Sequence, residues 1–433
     1  MSLALENKKL RICLIGEKIP VLSRSTDTGM LWPLARGLSE KGHEVTIIST
    51  RSPLKRHEVF RDGIRAYYLQ ENAPHYRHQR FSEMALRKFL SLHKEKPFDI
   101  VHSLDRSGHR IGSQKNRLKI AMSYDIQATH LAELFTILTE NQSTLTTMIK
   151  TSLKLAYHFL KTYFVYDRRL LQTADGVFVT TPQQKLILER YYLYPDYHTY
   201  TVPYGINLSD LAPKIESENF KLKLNIPDNA KIILALSDFS NTFEVRPLLS
   251  AFRKLVLKKP NTYLILVGDG PEWKKVEFEM LRLALGSKVI MPGAVTAEEM
   301  IEFILASPIY VDLSARSTGL EPSMIEAMAQ KKIVVGSELS PIAEIIEDGV
   351  DGFLVRPADV TSLFDLLDRL TDEATDLSLE IGEKARLKVV EVFNRQKMIS
   401  SLINAYTQIL KNSGYFKQRA MFKSLFSKLA KSV

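Results

Sequence analysis

Apolar residues in this chain come in short bursts, each followed by a polar turn and then by a stretch of helical spacing. In the first half the bursts are Leu10–Ile15, Val45–Ser49, Asp99–His102 and Lys119–Ser123. In the second they are Lys231–Leu236, Thr262–Val267, Val289–Val295, Ile309–Leu313 and Ile333–Val335. Runs this short and this apolar read as strands of a sheet covered on both faces. Between them, Leu31, Leu34, Ala35 and Leu38 keep a helical period over Met30–Lys41, and Gly42 stands where such a helix would be capped. Leu248, Leu249, Phe252 and Leu255 do the same behind Pro247, a residue suited to a first helical turn. Further helices are predicted around Phe81–His93, Gln183–Tyr191, Glu298–Leu305, Asp359–Arg386 and Val389–Leu410. The alternation predicts βαβ units in both halves, and hence an α/β protein built on parallel sheets.

One stretch, Ile309 to Pro357, carries more chemistry than the others. A strand ends in a loop rich in Ser, Thr and Gly. A helix then opens near Pro322, with Met324, Ile325, Ala327, Met328 and Ala329 on its buried side, and a second strand follows. A loop between a strand's carboxyl end and a helix's amino end is where an open α/β sheet binds ligands, and its free N–H groups attract anions. Gly319 and Leu320 can offer such groups; Pro322 cannot.

The 433 residues suffice for two or three domains with cores of their own. The one cysteine, Cys13, sits in an apolar run, so it is read as a small core residue of a protein in a reducing compartment, the cytoplasm. No run approaches the roughly 18 apolar residues of a membrane span, and Met1–Lys9 lacks a signal-peptide core. The net charge of +10 suits an anionic partner, such as a nucleotide diphosphate or an acidic lipid surface. No nucleic-acid-binding signature accompanies it, so nucleic acid is set aside.

The segments TVPYGINL at 201–208, GDGP at 268–271, VIMPGAV at 289–295, GLEPSMIEAMA, VVGSELSPIAEII and EDGVDGFLVRP follow one another in a familiar order. In these the chain resembles the GT-B glycosyltransferases, in particular the large retaining family 4. The resemblance implies two Rossmann-like domains facing across a cleft, with the C-terminal helices crossing back to the first. Residues 1–208 would form an acceptor domain, 209–393 a nucleotide-sugar domain, and 394–433 the returning helices. It also implies transfer of a sugar, with retention and without a metal or other cofactor, from a nucleotide-diphosphate sugar. The acceptor would be a saccharide or a lipid-linked molecule at the cell envelope.

By the same resemblance Glu326 would hold the nucleotide ribose, and Arg316, Thr318, Gly319 and Leu320 would surround the phosphates and sugar. Gly268 and Gly270 would form the turn beside the nucleotide, and Gly29 would let the donor phosphates approach a helix start. Several family positions are replaced. The first of two conserved-pattern Glu falls on Thr318, with Glu321 a shifted substitute or simply an acidic residue suited to a helix start. The family's Arg and Lys, which neutralise the diphosphate, fall on or near Asp238 and Phe243. Arg246 and Arg316 are the guanidinium groups left to replace them, though Arg246 reads equally as a surface residue. Where the family sets a His beneath the acceptor, this chain has Tyr124 followed by Asp125. Asp125 would orient an acceptor hydroxyl, or cap the next helix. His102 is read as a structural strand-end residue.

These losses keep a second reading open, a scaffold that binds a nucleotide or nucleotide sugar with little turnover. A sugar-nucleotide epimerase shares the architecture, but its usual constellation is not evident. Two stretches remain. Ala128–Leu171 is helical and aromatic with Lys150, Lys154, Lys161, Arg168 and Arg169 interleaved. The expectation adopted is a helical pair packed on the sheet with its lysines outward, the alternative being contact with a membrane or an acceptor lipid. Residues 415–433 form a basic amphipathic segment, with Phe422, Leu425, Phe426 and Leu429 on one face. That face would meet an anionic membrane, making the protein peripheral on its inner side, or pack on the first domain.

Overall fold

A computed structural model describes residues 8–17, 31–50, 57–69, 81–126, 149, 152, 153, 156, 157, 160, 167–205, 220–237, 239, 242, 244–295, 297–313, 322–339, 342–356 and 359–413. The first sheet contains β1 (Arg11–Ile15), β2 (Glu44–Ser49), β3 (Glu58–Arg61), β4 (Ile64–Tyr68), β5 (Ile100–Ser103), β6 (Ala121–Asp125), β7 (Gly176–Val179) and β8 (Thr199–Thr201). Its order is β3-β4-β2-β1-β5-β6-β7-β8, and only the β3/β4 pair is antiparallel. The sequence reading passed over β3 and β4. Their signal was the Asp62-Gly63 turn, whose φ angles of 52° and 75° are those of a tight hairpin.

The second sheet contains β9 (Lys231–Leu236), β10 (Thr262–Val267), β11 (Val289–Gly293), β12 (Ile309–Asp312), β13 (Ile333–Ser337) and β14 (Phe353–Val355). All its pairs are parallel, in the order β11-β10-β9-β12-β13-β14. Counted from its own first strand, this is the 3-2-1-4-5-6 order of a doubly wound nucleotide-binding sheet. The order reverses between β9 and β12, so their carboxyl ends flank a crevice.

The longer helices are α1 (Leu31–Glu40), α2 (Phe81–Glu95), α3 (Pro182–Tyr192), α4 (Val245–Lys258), α5 (Trp273–Arg282), α6 (Ala297–Ala306), α7 (Pro322–Ala329), α8 (Val360–Val392) and α9 (Arg395–Asn412). Gly42, at φ 84°, ends α1 as its position predicts. The expected break near residue 387 is absent. Ile381, Ala385 and Val389 are buried at a spacing of one helical turn, so α8 runs on past that point. Chain direction changes instead at Asn394, whose side chain accepts from the Gln396 N–H at 2.8 Å and starts α9.

Helix α9 returns to the first sheet. Arg395 pairs with Glu40 of α1 at 2.8 Å. Tyr406 donates to or accepts from His102 Nδ1 of β5 at 2.8 Å. A Cβ on Gly37 or Gly176 would strike Ile399 or Ile409, so both small residues mark where α9 seats. One apolar cluster therefore runs from Leu14 and Leu34 through Met398 and Tyr406 to Met328 and Val334 of the second sheet. Gly205 belongs to the same seam. A Cβ there would meet Arg395 Cα and Asn394 O at 2.8 Å, so what requires the glycine is a close backbone approach.

Within the stretch read as packed on the sheet, Ile149, Leu153, Tyr157 and Leu160 are helical and exposed, and most of the stretch up to residue 166 lies outside the described residues.

Candidate active site

The crevice between β9 and β12 is built from local rules. Strand β12 ends at Asp312, which is buried. Helix α7 starts at Pro322, and Tyr310 of β12 ties it down through a buried hydroxyl bond to Ser323 at 2.9 Å. Across Ser323–Gln330 every residue is buried except Glu326, which is half-buried. Met324, Ile325, Ala327 and Met328 take the core, so Glu326 is the one residue of this turn that stays partly exposed, with its Oε2 atom buried. Charged side chains are held on such apolar helices only where something needs them.

Beside it, β10 ends in the Gly268–Gly270 turn. Gly268 adopts φ 144° and its N–H donates to Gly293 O at 3.0 Å, joining the loops after β10 and β11. Gly270 O accepts from the Trp273 N–H at 3.2 Å and begins α5. Phe239, in the loop after β9, was missed by the sequence reading. It is buried at φ 44°, a region a bulky residue rarely occupies. Its N–H donates to Ser237 Oγ at 3.2 Å, its carbonyl accepts from the Glu272 N–H at 2.9 Å, and its ring meets Trp273 edge-on at 5.5 Å. Strain of this kind clusters at ligand sites. The only cue in the sequence was an aromatic residue within a polar loop.

Arg246 lies in the first turn of α4 and is exposed. Its charge helps hold the Glu279 carboxyl of α5 below the usual carboxylate range, after the larger effect of Arg282, which grips that carboxylate. Gly29, Arg316, Thr318, Gly319, Leu320 and Glu321 lie outside the described residues, as do Asp238 and Phe243. The EDGVDG segment is a braced turn. Asp351 pairs with Lys388 at 2.5 Å and accepts from the Glu347 N–H, while Asp348 accepts from the Leu354 N–H at 2.9 Å.

At the first sheet, β6 separates the two residues named from the sequence. Successive strand residues point to opposite faces. Tyr124 is buried in the cluster of Ile111, Met122 and Leu170, and its hydroxyl bonds Thr173 Oγ1 at 3.0 Å. Burial pushes its phenol further up. Asp125 faces the other way, toward Tyr406 of α9, whose phenol is held up first by burial and then by the Asp125 charge. Asp125 is itself buried, its Oδ1 has no hydrogen-bond partner, and burial pushes its pKa up to about 7. His102 shares that side, ring to ring with Phe178 at 4.6 Å, and burial lowers its pKa to about 3. A neutral His102 paired with Tyr406 fits the structural role read from its strand-end place. Cys13 is buried and its thiol is driven up, so it is a core residue.

Two Rossmann-like sheets, a switch-point crevice in the second and a C-terminal helix returning to the first define the GT-B architecture. The family profiles agree with this. Residues 30–205 match the glycosyl transferase 4-like domain, and residues 216–388 match glycosyl transferases group 1. The chain belongs to the GT-B glycosyltransferases, which draw on nucleotide-sugar donors. It is 24% identical over 388 residues to N-acetyl-alpha-D-glucosaminyl L-malate synthase of Bacillus anthracis, across 88% of this chain and 93% of that protein. Sucrose-phosphate synthase of Thermosynechococcus elongatus shares its fold with a TM-score of 0.71 at 19% identity, over 97% of this chain and 100% of that one. The Anabaena HepE structure in complex with UDP and glucose gives 0.65 at 16% identity, over 91% and 98%. No helix among the described residues is long and apolar enough to cross a membrane.

Proposed function

We propose that the chain moves a sugar, with retention of configuration, from a nucleotide-diphosphate sugar to a saccharide or lipid-linked acceptor of the cell envelope, acting at the cytoplasmic face. The observation that carries the donor side is Glu326, the half-buried carboxylate on an otherwise buried turn beside the switch point. From there it suits the two hydroxyls of a ribose, and the UDP held by the HepE protein makes a uridine nucleotide the first donor to try. The leaving diphosphate would be neutralised by protein groups, namely Arg246, Arg316 and the amino ends of α4 and α7, in place of a metal. On the acceptor side Asp125 replaces Tyr124 as the group of interest, because its carboxylate keeps an unused acceptor atom. The tail at 415–433 lies outside the described residues; its basic amphipathic pattern suits an anionic inner membrane face.

The test is transfer from a panel of nucleotide sugars to membrane extract, with and without EDTA. Product that keeps the donor's anomeric configuration, at a rate EDTA leaves unchanged, is the expected result. Inverted product or a chelator-sensitive rate overturns the corresponding part. The nearness of Arg246 to Glu279 favours one rival, a site that binds the nucleotide but stabilises the leaving group poorly. Saturable nucleotide binding with no transfer and no donor hydrolysis across the panel would establish that rival.

A further inference from the structure

Two short helices meet on the face of the first sheet that holds Tyr124. His109–Gly112 follows β5 and leads toward β6, and Arg168–Thr173 leads into β7. Chain that enters a parallel strand must first reach the sheet's amino edge, so both helices run from the carboxyl edge toward it. They touch at Gly112, where a Cβ would lie 3.0 Å from Thr173 Oγ1 and would strike the Tyr124 hydroxyl. Ile111 and Leu170 pack in the same cluster as Tyr124. One turn back along each helix, toward the carboxyl edge, stand His109 and Arg169. Arg110 follows His109, and like Arg169 it is exposed.

Among the described residues, Arg110 and Arg169 make no ion pair and no side-chain hydrogen bond. His109 is half-buried, and its Nδ1 atom is buried without a hydrogen-bond partner. Burial lowers its pKa, and the charges of Arg169 and then Arg110 lower it further. The acids close in the chain are engaged elsewhere. Asp105 accepts from the Glu17 N–H at 2.7 Å and the Ser107 N–H at 2.8 Å. Asp167 is buried and accepts from the Tyr192 hydroxyl at 2.6 Å, and Asp175 pairs with Lys115 at 2.7 Å. Like charges gathered around an unsatisfied nitrogen are unfavourable until an anion completes them. A carboxylate is matched by one guanidinium. A phosphoryl group carries about two negative charges and three acceptor oxygens, enough for two guanidinium groups and an imidazole. The place suits a ligand as well, because the order of the first sheet reverses between β1 and β5, and His109 lies shortly beyond the carboxyl end of β5. We infer that His109, Arg110 and Arg169 form a binding site for a phosphoryl group, carried by a small water-soluble molecule or by a lipid headgroup. In a transferase this phosphoryl group would belong to the acceptor; this last point alone rests on the proposed function.

The experiment follows the imidazole Cε1 signals of the full chain, labelled at histidine, during titration with sodium phosphate. His109→Gln identifies the His109 signal, which reports on this place and not on the donor crevice. The signal should shift saturably with phosphate and stay put in sodium chloride of equal ionic strength. The pair Arg110→Gln with Arg169→Gln should raise the phosphate concentration needed about tenfold or more. Both side chains are exposed, so its melting temperature without phosphate should not fall. Arg190→Gln, at an exposed arginine of α3, should bind as wild type does. A shift that sodium chloride reproduces overturns the inference, as does a paired variant that binds phosphate like wild type. Two further arms separate the carriers. Tighter binding of sn-glycerol 3-phosphate than of phosphate, weakened in the paired variant, supports a water-soluble carrier. Pelleting with phosphatidylcholine vesicles only when they contain phosphatidic acid, lost in the paired variant, supports a lipid headgroup. Phosphate binding that the paired variant loses, in a protein that transfers no sugar, upholds this site while rejecting the proposed reaction.

Discussion

Two carboxylates stand out from their surroundings, and they do so for opposite reasons. Glu326 is kept partly in solvent by a helix that buries everything around it. Glu326→Ala should weaken nucleotide binding about tenfold or more, the loss of hydrogen bonds to a charged group. It should leave the melting temperature of the unliganded protein nearly unchanged; calorimetric titration with UDP checks the first point and thermal unfolding the second. Asp125 is driven inside, and burial carries its pKa from 3.8 to about 7. The native state then holds a proton that the unfolded chain has released, over the window from about pH 4 to pH 7. This group's contribution to stability is therefore greatest at the acid end and is lost as the pH rises through about 7. Asp125→Asn should remove that slope. Its gain over wild type should be on the order of a few kcal/mol at pH 8 and shrink toward pH 4, as denaturation at several pH values will show. If Asp125 also serves the acceptor, the same variant should be slower in transfer, a trade of activity for stability. His102 runs the other way. Its pKa is depressed from 6.5 to about 3, so its contribution is complete above about pH 6.5 and lost as the pH falls through that window.

Among the elements, α9 does what a linker alone does not. It closes the chain onto the first sheet through Arg395, Ile399, Tyr406 and Ile409, and it presses on the interdomain strand end at Gly205. Gly205→Ala would place a methyl 2.8 Å from backbone atoms, where no rotamer can relieve the clash. The expected cost is about 2 kcal/mol or more, with α9 loosened from α1. Faster amide exchange across Arg395–Asn412 than in wild type is the readout, and unchanged exchange there refutes the account. Tyr406→Phe is the milder companion, deleting one buried hydrogen bond for a cost of about 1–2 kcal/mol. Much at this scale was legible in the sequence. The bursts at Lys231–Leu236 and Thr262–Val267 became strands with the same limits, because short apolar runs bounded by turns have few other uses. The β3/β4 hairpin was not read, since its residues are half polar and only the Asp62-Gly63 pair marks it. Nor was the continuity of α8, where charged residues obscured the buried row of Ile381, Ala385 and Val389.

For the molecule as a whole, the order of motifs along the chain was enough to imply two sheets, a donor crevice and a returning helix. Local sequence determines period, and period determines strand or helix; a fixed succession of βαβ units then leaves little freedom in topology, because each crossover has one favoured hand. The glycine turn after β10 and the place of Glu326 on α7 follow from that succession. Tertiary structure alone decided which way the elements face. It turned Tyr124 into a core and Asp125 toward α9, although both stand at the same strand end. It assigned Gly205 to a contact with a helix near the other end of the chain, and it left Ile149, Leu153, Tyr157 and Leu160 exposed. A sequence states how polar each position is and how the pattern repeats. Burial depends on what arrives from elsewhere in the chain, and that is settled only when the sheets and helices have packed.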